Sequence, residues 1–325
     1  MNVIQLATRI PLLVALAVGL AVAAVAAGNF PVRPIHLILP YAPGGIIEFV
    51  GRTLGQKLGK ILGQPVVVED RAGAGGIVGV DYAAHAAPDG YTILLVDPAI
   101  VTNPTLHKSL PYDTFKDLVT ISIVATAPEG LVVAPQLGIE TQAALIAYGK
   151  TNPGKLNYAS AGIGSLSNLA AEMWKQRAAI VATQVPYGGI GPAFIDLMSG
   201  KVQMAFSSLP AAIPFIAKGR LVVLATTGRE RSPMYPGLPT AAQLLPGYEV
   251  TLWLGIYGRA GMPRDVLAAL NSGIDSALQD DGLKTAFAKF GIAPRGTTLQ
   301  EGAAFTKEEY EKWRQVILDA HITLD

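Results

Sequence analysis

Short unbroken runs of Val, Ile and Leu, each closed by glycine or proline and followed by apolar residues at helical spacing, recur from residue 35 onwards. Such runs are the pattern of strands buried on both faces of a parallel sheet. They predict strands at 35–39, 65–69, 92–96, 121–125, 131–134, 156–159, 181–186, 202–206, 221–226 and 250–257. Between them the period changes to 3.6. Ile46, Ile47, Val50, Leu54, Leu58 and Ile61 form one stripe, stopped by Gly63. A second helix is expected over 168–175, and a third over 191–198, with Pro192 in its first turn and Gly200 just past its end. Pro263 opens a helix carrying Val266, Leu267, Leu270, Ile274 and Leu278; Thr298 and Glu301 have capping-box spacing and start a helix running to about 319. The alternation predicts an α/β fold with mostly parallel sheets flanked by helices. Ten strands in about 300 residues exceed one core, so two domains are expected. With no repeat and no long linker, they are joined by crossing strands.

Residues 10–27 break the pattern: a continuous Ala/Val/Leu stretch after Arg9, ending in Val25, Ala26 and Ala27. This predicts an export leader over 1–27, cleaved near Ala26 or Ala27. The rival, an uncleaved anchor, has only about 18 apolar residues and no basic flank after it. The 325 residues include no cysteine, which excludes a lipoprotein, disulfides, thiolate metal sites and a Cys nucleophile. A large exported protein without disulfides suits a bacterial periplasm. With 25 basic and 24 acidic side chains and no basic cluster, nucleic acid is not an expected partner. His36, His85, His107 and His321 are scattered without metal-ligand spacing, so no metal or cofactor is expected. Trp174, Trp253 and Trp313 are assigned to cores.

Four glycine-rich turns follow expected strands: 40–45, 71–76, 160–165 and 187–192. In the first, Pro40, Tyr41, Ala42, Pro43, Gly44 and Gly45 lead into a helix. A turn of this kind bares backbone N–H groups at a helix N-terminus, where the dipole favours anions. Loops at the C-terminal ends of strands line the ligand crevice of open α/β sheets. Hydroxyls stand nearby at Ser160, Ser165, Ser167, Ser207 and Ser208, and Tyr41 and Tyr187 sit where they could close over a ligand. The plain alternative is that each glycine only lets a helix pack closely. Gly73, Gly75 and Gly76 lack dinucleotide-fingerprint spacing, and Gly162, Gly164 and Ser165 do not form a nucleophile elbow. No nucleophile–base spacing stands out, so the turns point to a protein that holds an anion, with a hydrolase using the same cleft as the rival reading.

The motifs in order then carry a resemblance. They are PYAPGG at 40–45, EDRAGAGG at 69–76, APDGYT at 87–92, LPYD at 110–113, NPGKL at 152–156, YAS at 158–160, VPY at 185–187 and LPT at 238–240. Together they resemble the substrate-binding receptors of tripartite tricarboxylate transporters, the Bug-type receptors, over about 31–325. The resemblance implies a periplasmic receptor of Venus-flytrap architecture, with domain 1 built from 28–130 and 250–325 and domain 2 from 131–249. It implies a small organic carboxylate held by backbone amides and bridging waters, delivery to integral-membrane transporter subunits, and a monomer. The ligand residues it implies are Tyr41, Pro43, Gly44, Gly45, Glu48, Ser160, Gly162, Gly164, Ser165, Asn168, Tyr187, Gly188, Gly189 and Ser207. Three positions depart from the family pattern: Glu48 replaces an Asp, Asn168 a His, and Gly188 a Lys. Glu48 reads either as a first-turn acid complementing the helix dipole or as a pocket-edge carboxylate. The lost cations point to a mono- or dicarboxylate, with an aromatic one suggested by Tyr41, Phe49 and Tyr187. A sensing module feeding a signalling partner is the other functional alternative. Gly45→Val and Gly164→Val are both expected to remove binding with the fold largely kept.

Overall fold

The computed structural model describes residues 30–232 and 235–324; the expected leader over 1–27 lies outside them. β1 (Ile35–Leu39) pairs in parallel with β2 (Val66–Asp70) and β3 (Thr92–Val96). Helix α1 (Ile46–Leu62) connects β1 to β2 and ends at Gly63 with φ +70°. It lies close on the sheet because Gly51 and Gly55 face it: a Cβ on Gly51 would come within 2.9 Å of Leu39, and one on Gly55 within 3.2 Å of Val66.

β4 (Leu118–Val133) is a single strand of 16 residues that belongs to two sheets. Its first part, to Pro128, pairs antiparallel with β9 (Thr251–Arg259), which also pairs with β3. From Glu129 on, it pairs antiparallel with β7 (Met204–Ser208) and β8 (Val222–Thr226). β7 continues in parallel into β5 (Leu156–Ser160) and then β6 (Ala182–Pro186). The order is β2-β1-β3-β9-β4-β7-β5-β6, with a short β10 (Ala293–Pro294) on β4. The sequence suggested two strands here, at 121–125 and 131–134, because Pro128-Glu129-Gly130 reads as a turn. It is the change of partners instead. Pro128, which cannot donate to a ladder, occupies the last register pair with β9, and Gly130 makes room for Leu209, whose Cδ2 would lie 2.3 Å from a Cβ there. The chain returns near Val250, whose N–H donates to the Thr227 carbonyl at 2.9 Å just before β9 begins.

The parallel pairings thus lie in the outer parts of the two sheets, and the antiparallel ones are those made by β4 and the pairing of β9 with β3. The helices are α2 (Ile77–Ala84), α3 (Ala99–Leu106), α4 (Thr114–Asp117), α5 (Gln142–Thr151), α6 (Leu166–Ala178), α7 (Ile190–Met198), α8 (Leu209–Ile216), α9 (Arg264–Leu278), α10 (Asp281–Ala288) and α11 (Leu299–Asp319). The expected capping box forms at α11: the Thr298 hydroxyl accepts the Glu301 N–H, and Glu301 accepts the Thr298 N–H. α1, α9 and α10 pack one core against the first sheet, around Leu54, Leu270 and Phe287. A second core lies under α7 and α8. The largest apolar cluster runs across both sheets through Leu106, Leu169, Trp174 and Trp313, so the halves share a core behind their facing loops. Buried Glu309 ties α11 to β9 by accepting the Trp253 and Trp313 indole N–H groups at 2.8 and 3.0 Å.

Candidate ligand-binding cleft

The first wall is the turn from β1 into α1. Gly44 has φ +106°, a conformation natural only to glycine, and Gly45 is the N-cap, with no side chain capping the helix. A Cβ at Gly44 or Gly45 would meet nothing within 4 Å, so both border open space. The first N–H groups of α1 have no partner within the helix. Glu48 takes the nearest one outside it: its Oε2 accepts the Gly44 N–H at 2.5 Å, and its Oε1 accepts Arg52 Nε at 2.7 Å. The Arg52 guanidinium, then the Gly44 amide, hold the Glu48 carboxyl below its ordinary range. Its carboxylate thus serves the turn and Arg52 while also lining the cavity beside it. Arg52 also stands 3.6 Å from Asp70. Tyr41 is anchored, its hydroxyl donating to Asp97 Oδ1 at 2.7 Å, while Asp97 also accepts the Ala99 N–H at 3.0 Å. Burial pushes both groups up, the Asp97 carboxyl and, further, the Tyr41 phenol beside it.

The second wall is the turn from β5 into α6. The Ser165 hydroxyl donates to the Gly162 carbonyl at 2.7 Å and accepts the Asn168 N–H at the helix N-terminus. Asn168 is buried: its Oδ1 accepts the Gly164 N–H at 2.9 Å and its Nδ2 donates to the Tyr158 hydroxyl at 2.8 Å. Ser160 is buried too, accepting Gln184 Nε2 at 2.8 Å. The resemblance put Ser160 and Asn168 against a ligand; the structure puts their polar atoms on the protein itself, short side chains serving nearby groups. Ser207 is also enclosed, its hydroxyl without a partner among the described residues. The turn from β6 into α7 stands alongside, the Tyr187 N–H donating to the Ser160 carbonyl at 3.0 Å, with open space at Gly188 and Gly189. The Tyr187 hydroxyl donates to Asp196 at 3.0 Å. Tyr41 and Tyr187 were expected to close over a ligand; each is instead tethered to a carboxylate of its own half.

Two cavities lie between the halves. One, of about 420 Å³, has Tyr41, Gly75, Asp97 and Asn103 on one side and Ala161, Gly164 and Ser165 on the other. The second, of about 560 Å³, has Gly44, Gly45, Glu48, Phe49 and Arg52 facing Ser208, Pro210 and Ala211, with Phe290 at its edge. Tyr41, Gly164 and Ser165 border the first of these cavities and Gly44, Gly45 and Glu48 the second, while Gly188 and Gly189 line neither; Pro43 is exposed, and Gly162 lies against the Tyr187 carbonyl. Gly164 differs from Gly45. It has φ +76°, and a Cβ there would lie 2.8 Å from Leu106 and 3.3 Å from Leu324, so Gly164→Val disturbs the fold as well as the cleft. The sequence reading missed Asp97, Arg52 and Phe290. Asp97 follows directly on the 92–96 run, at a strand's C-terminal end, and Arg52 stands one helical turn after Glu48. Phe290 carries no local signal.

Comparison with known proteins decides the family. A family model for the tripartite tricarboxylate transporter family receptor matches residues 50–322. The chain belongs to that family. It is 36% identical over 320 residues to Protein BugT of Bordetella pertussis, covering 98% of each chain. Among solved structures, R. palustris Rpa4515 with adipate aligns at TM-score 0.79 and 30% identity, covering 91% of this chain and 99% of that one. MatC of Rhodopseudomonas palustris with bound malate aligns at TM-score 0.75 and 29% identity, covering 89% and 100%. This α/β fold with a curled sheet is therefore that of periplasmic solute receptors, and no helix among the described residues is long and apolar enough to cross a membrane.

Proposed function

We propose that this receptor binds a small organic carboxylate between two lobes, 28–130 with 250–325 and 131–249, and hands it to membrane transporter subunits. The observation that carries the reading is that loops of the two halves face each other across two cavities: Gly44 and Gly45 before α1 face Ser208, and Gly75 and Asp97 face Gly164 and Ser165. Backbone N–H groups at helix N-termini grip the carboxylate, each charge-assisted bond contributing about 1.5–3 kcal/mol. Relatives solved with adipate and with malate support the carboxylate class. Ser160, Ser165 and Asn168 hold the turns in shape rather than touching the ligand. The lobes close about β4 at Pro128 and the return near Val250, ligand shifting an existing open–closed balance. The chain works as a monomer in the periplasm once its leader over 1–27 is removed.

A thermal-shift screen over small acids tests this. A ligand at a hundred times its Kd raises stability by about 2.7 kcal/mol. A carboxylate that raises the melting temperature, while its amide analogue does not, supports the reading. A full panel of carboxylates without effect contradicts it. A ligand-dependent pull-down separates delivery to transporter subunits from capture by a signalling protein.

A further inference from the structure

The larger cavity is unevenly furnished. Phe49 and Phe290 form its outer wall, their ring centroids 4.4 Å apart, and Phe49 leans on Phe287 at 6.0 Å. Phe290 is 47% exposed, a large apolar surface left open to water at the mouth of a space of about 560 Å³. Pro210 and Ala211 complete an apolar lining from the opposite half. The charges there add nothing for a second anion. Arg52 is already paired with Glu48 and stands 3.6 Å from Asp70, so this corner holds one cation and two carboxylates. A second carboxylate placed there meets net negative charge; an apolar ring placed there covers Phe290 and removes both surfaces from water.

Resting on the carboxylate reading above, we propose that the preferred ligand is a monocarboxylate with an aromatic body. Its carboxylate lies at the glycine turns, its ring lies against Phe49 and Phe290, and these two side chains set specificity. Edge-to-face or offset contact with the exposed Phe290 ring selects a flat apolar body over a flexible polar one.

Isothermal titration of the full mature chain with benzoate and phenylacetate, against succinate, adipate, malate and citrate, tests it. The wild-type protein binds an aromatic monocarboxylate at least about tenfold more tightly than any of the aliphatic di- or tricarboxylates. Phe290→Ala, at a half-exposed position, still folds with a single cooperative melt and lowers the aromatic-to-aliphatic affinity ratio by about tenfold. Tightest binding of a di- or tricarboxylate overturns the proposal, and so does a ratio that Phe290→Ala leaves in place. In either case carboxylate binding itself survives. Only the absence of heat with every acid of both classes overturns the carboxylate reading along with it.

Discussion

Glu129 offers a prediction about the joint between the two sheets. It stands on β4 where the strand changes partners, in register with Ser208, and its carbonyl accepts the Thr227 N–H at 2.9 Å. The residue is only 5% exposed, and burial alone pushes its carboxyl from 4.5 up to about 7. The nearby Tyr248 phenol is pushed up first by its own burial and then by the Glu129 charge. In the unfolded chain Glu129 gives up its proton near 4.5, in the folded protein near 7. Between those values the folded state binds more protons, so stability is greatest below about 4.5 and declines as pH rises towards 7. From 4.5 to about 7, at about 1.4 kcal/mol per pH unit, the full loss is about 3 kcal/mol. Glu129→Gln removes the titration at little change in shape. Urea unfolding of both proteins at a series of pH values from 4.5 to 8 reads the difference. The variant's stability relative to wild type rises by about 2–3 kcal/mol across that interval, most of it before pH 7. Parallel curves for the two proteins refute the reasoning, because they mean that water or a bonding partner reaches the carboxylate at the crossing.

Three further outcomes follow from the cleft. Gly45→Val has allowed backbone angles, φ −99° and ψ 176°, and nothing within 4 Å of its Cβ, so its melting temperature changes little while ligand affinity by titration falls at least about tenfold. Gly164→Ala instead loses about 2–3 kcal/mol of stability in urea, from its positive φ and the approach to Leu106, before any effect on binding is measured. Tyr41→Phe deprives Asp97 of a donor at 2.7 Å; it costs about 1–3 kcal/mol at neutral pH and less in acid, where Asp97 takes up a proton, as thermal melts at the two pH values will report.

Most strands were legible because buried parallel strands need unbroken apolar runs, and the runs at 35–39 and 92–96 match β1 and β3 residue for residue. The fusion of two expected strands into β4 was not legible. Pro128 and Gly130 break a ladder in most contexts, and only the switch of partners at that point makes them fit. The glycine turns could be read because glycine there answers a backbone requirement, φ +106° at Gly44 and +76° at Gly164. The roles of Ser160, Asn168 and Ser207 could not. A short polar side chain at a turn serves ligand, backbone or neighbour according to directions that only the folded loop fixes. Phe290 meets Phe49 from 241 positions away, and no local pattern announces such a contact.

Backbone amide spectra of the 15N-labelled protein, titrated with its tightest-binding acid, bear most directly on how the carboxylate is held. The amides of Gly45 and Ile46 move downfield, with the largest changes in the spectrum, if N–H groups at the helix start receive the negative charge. Should those signals stay in place while the Arg52 side-chain Nε–H shifts most, the charge is held by a guanidinium, and the grip by peptide amides is ruled out.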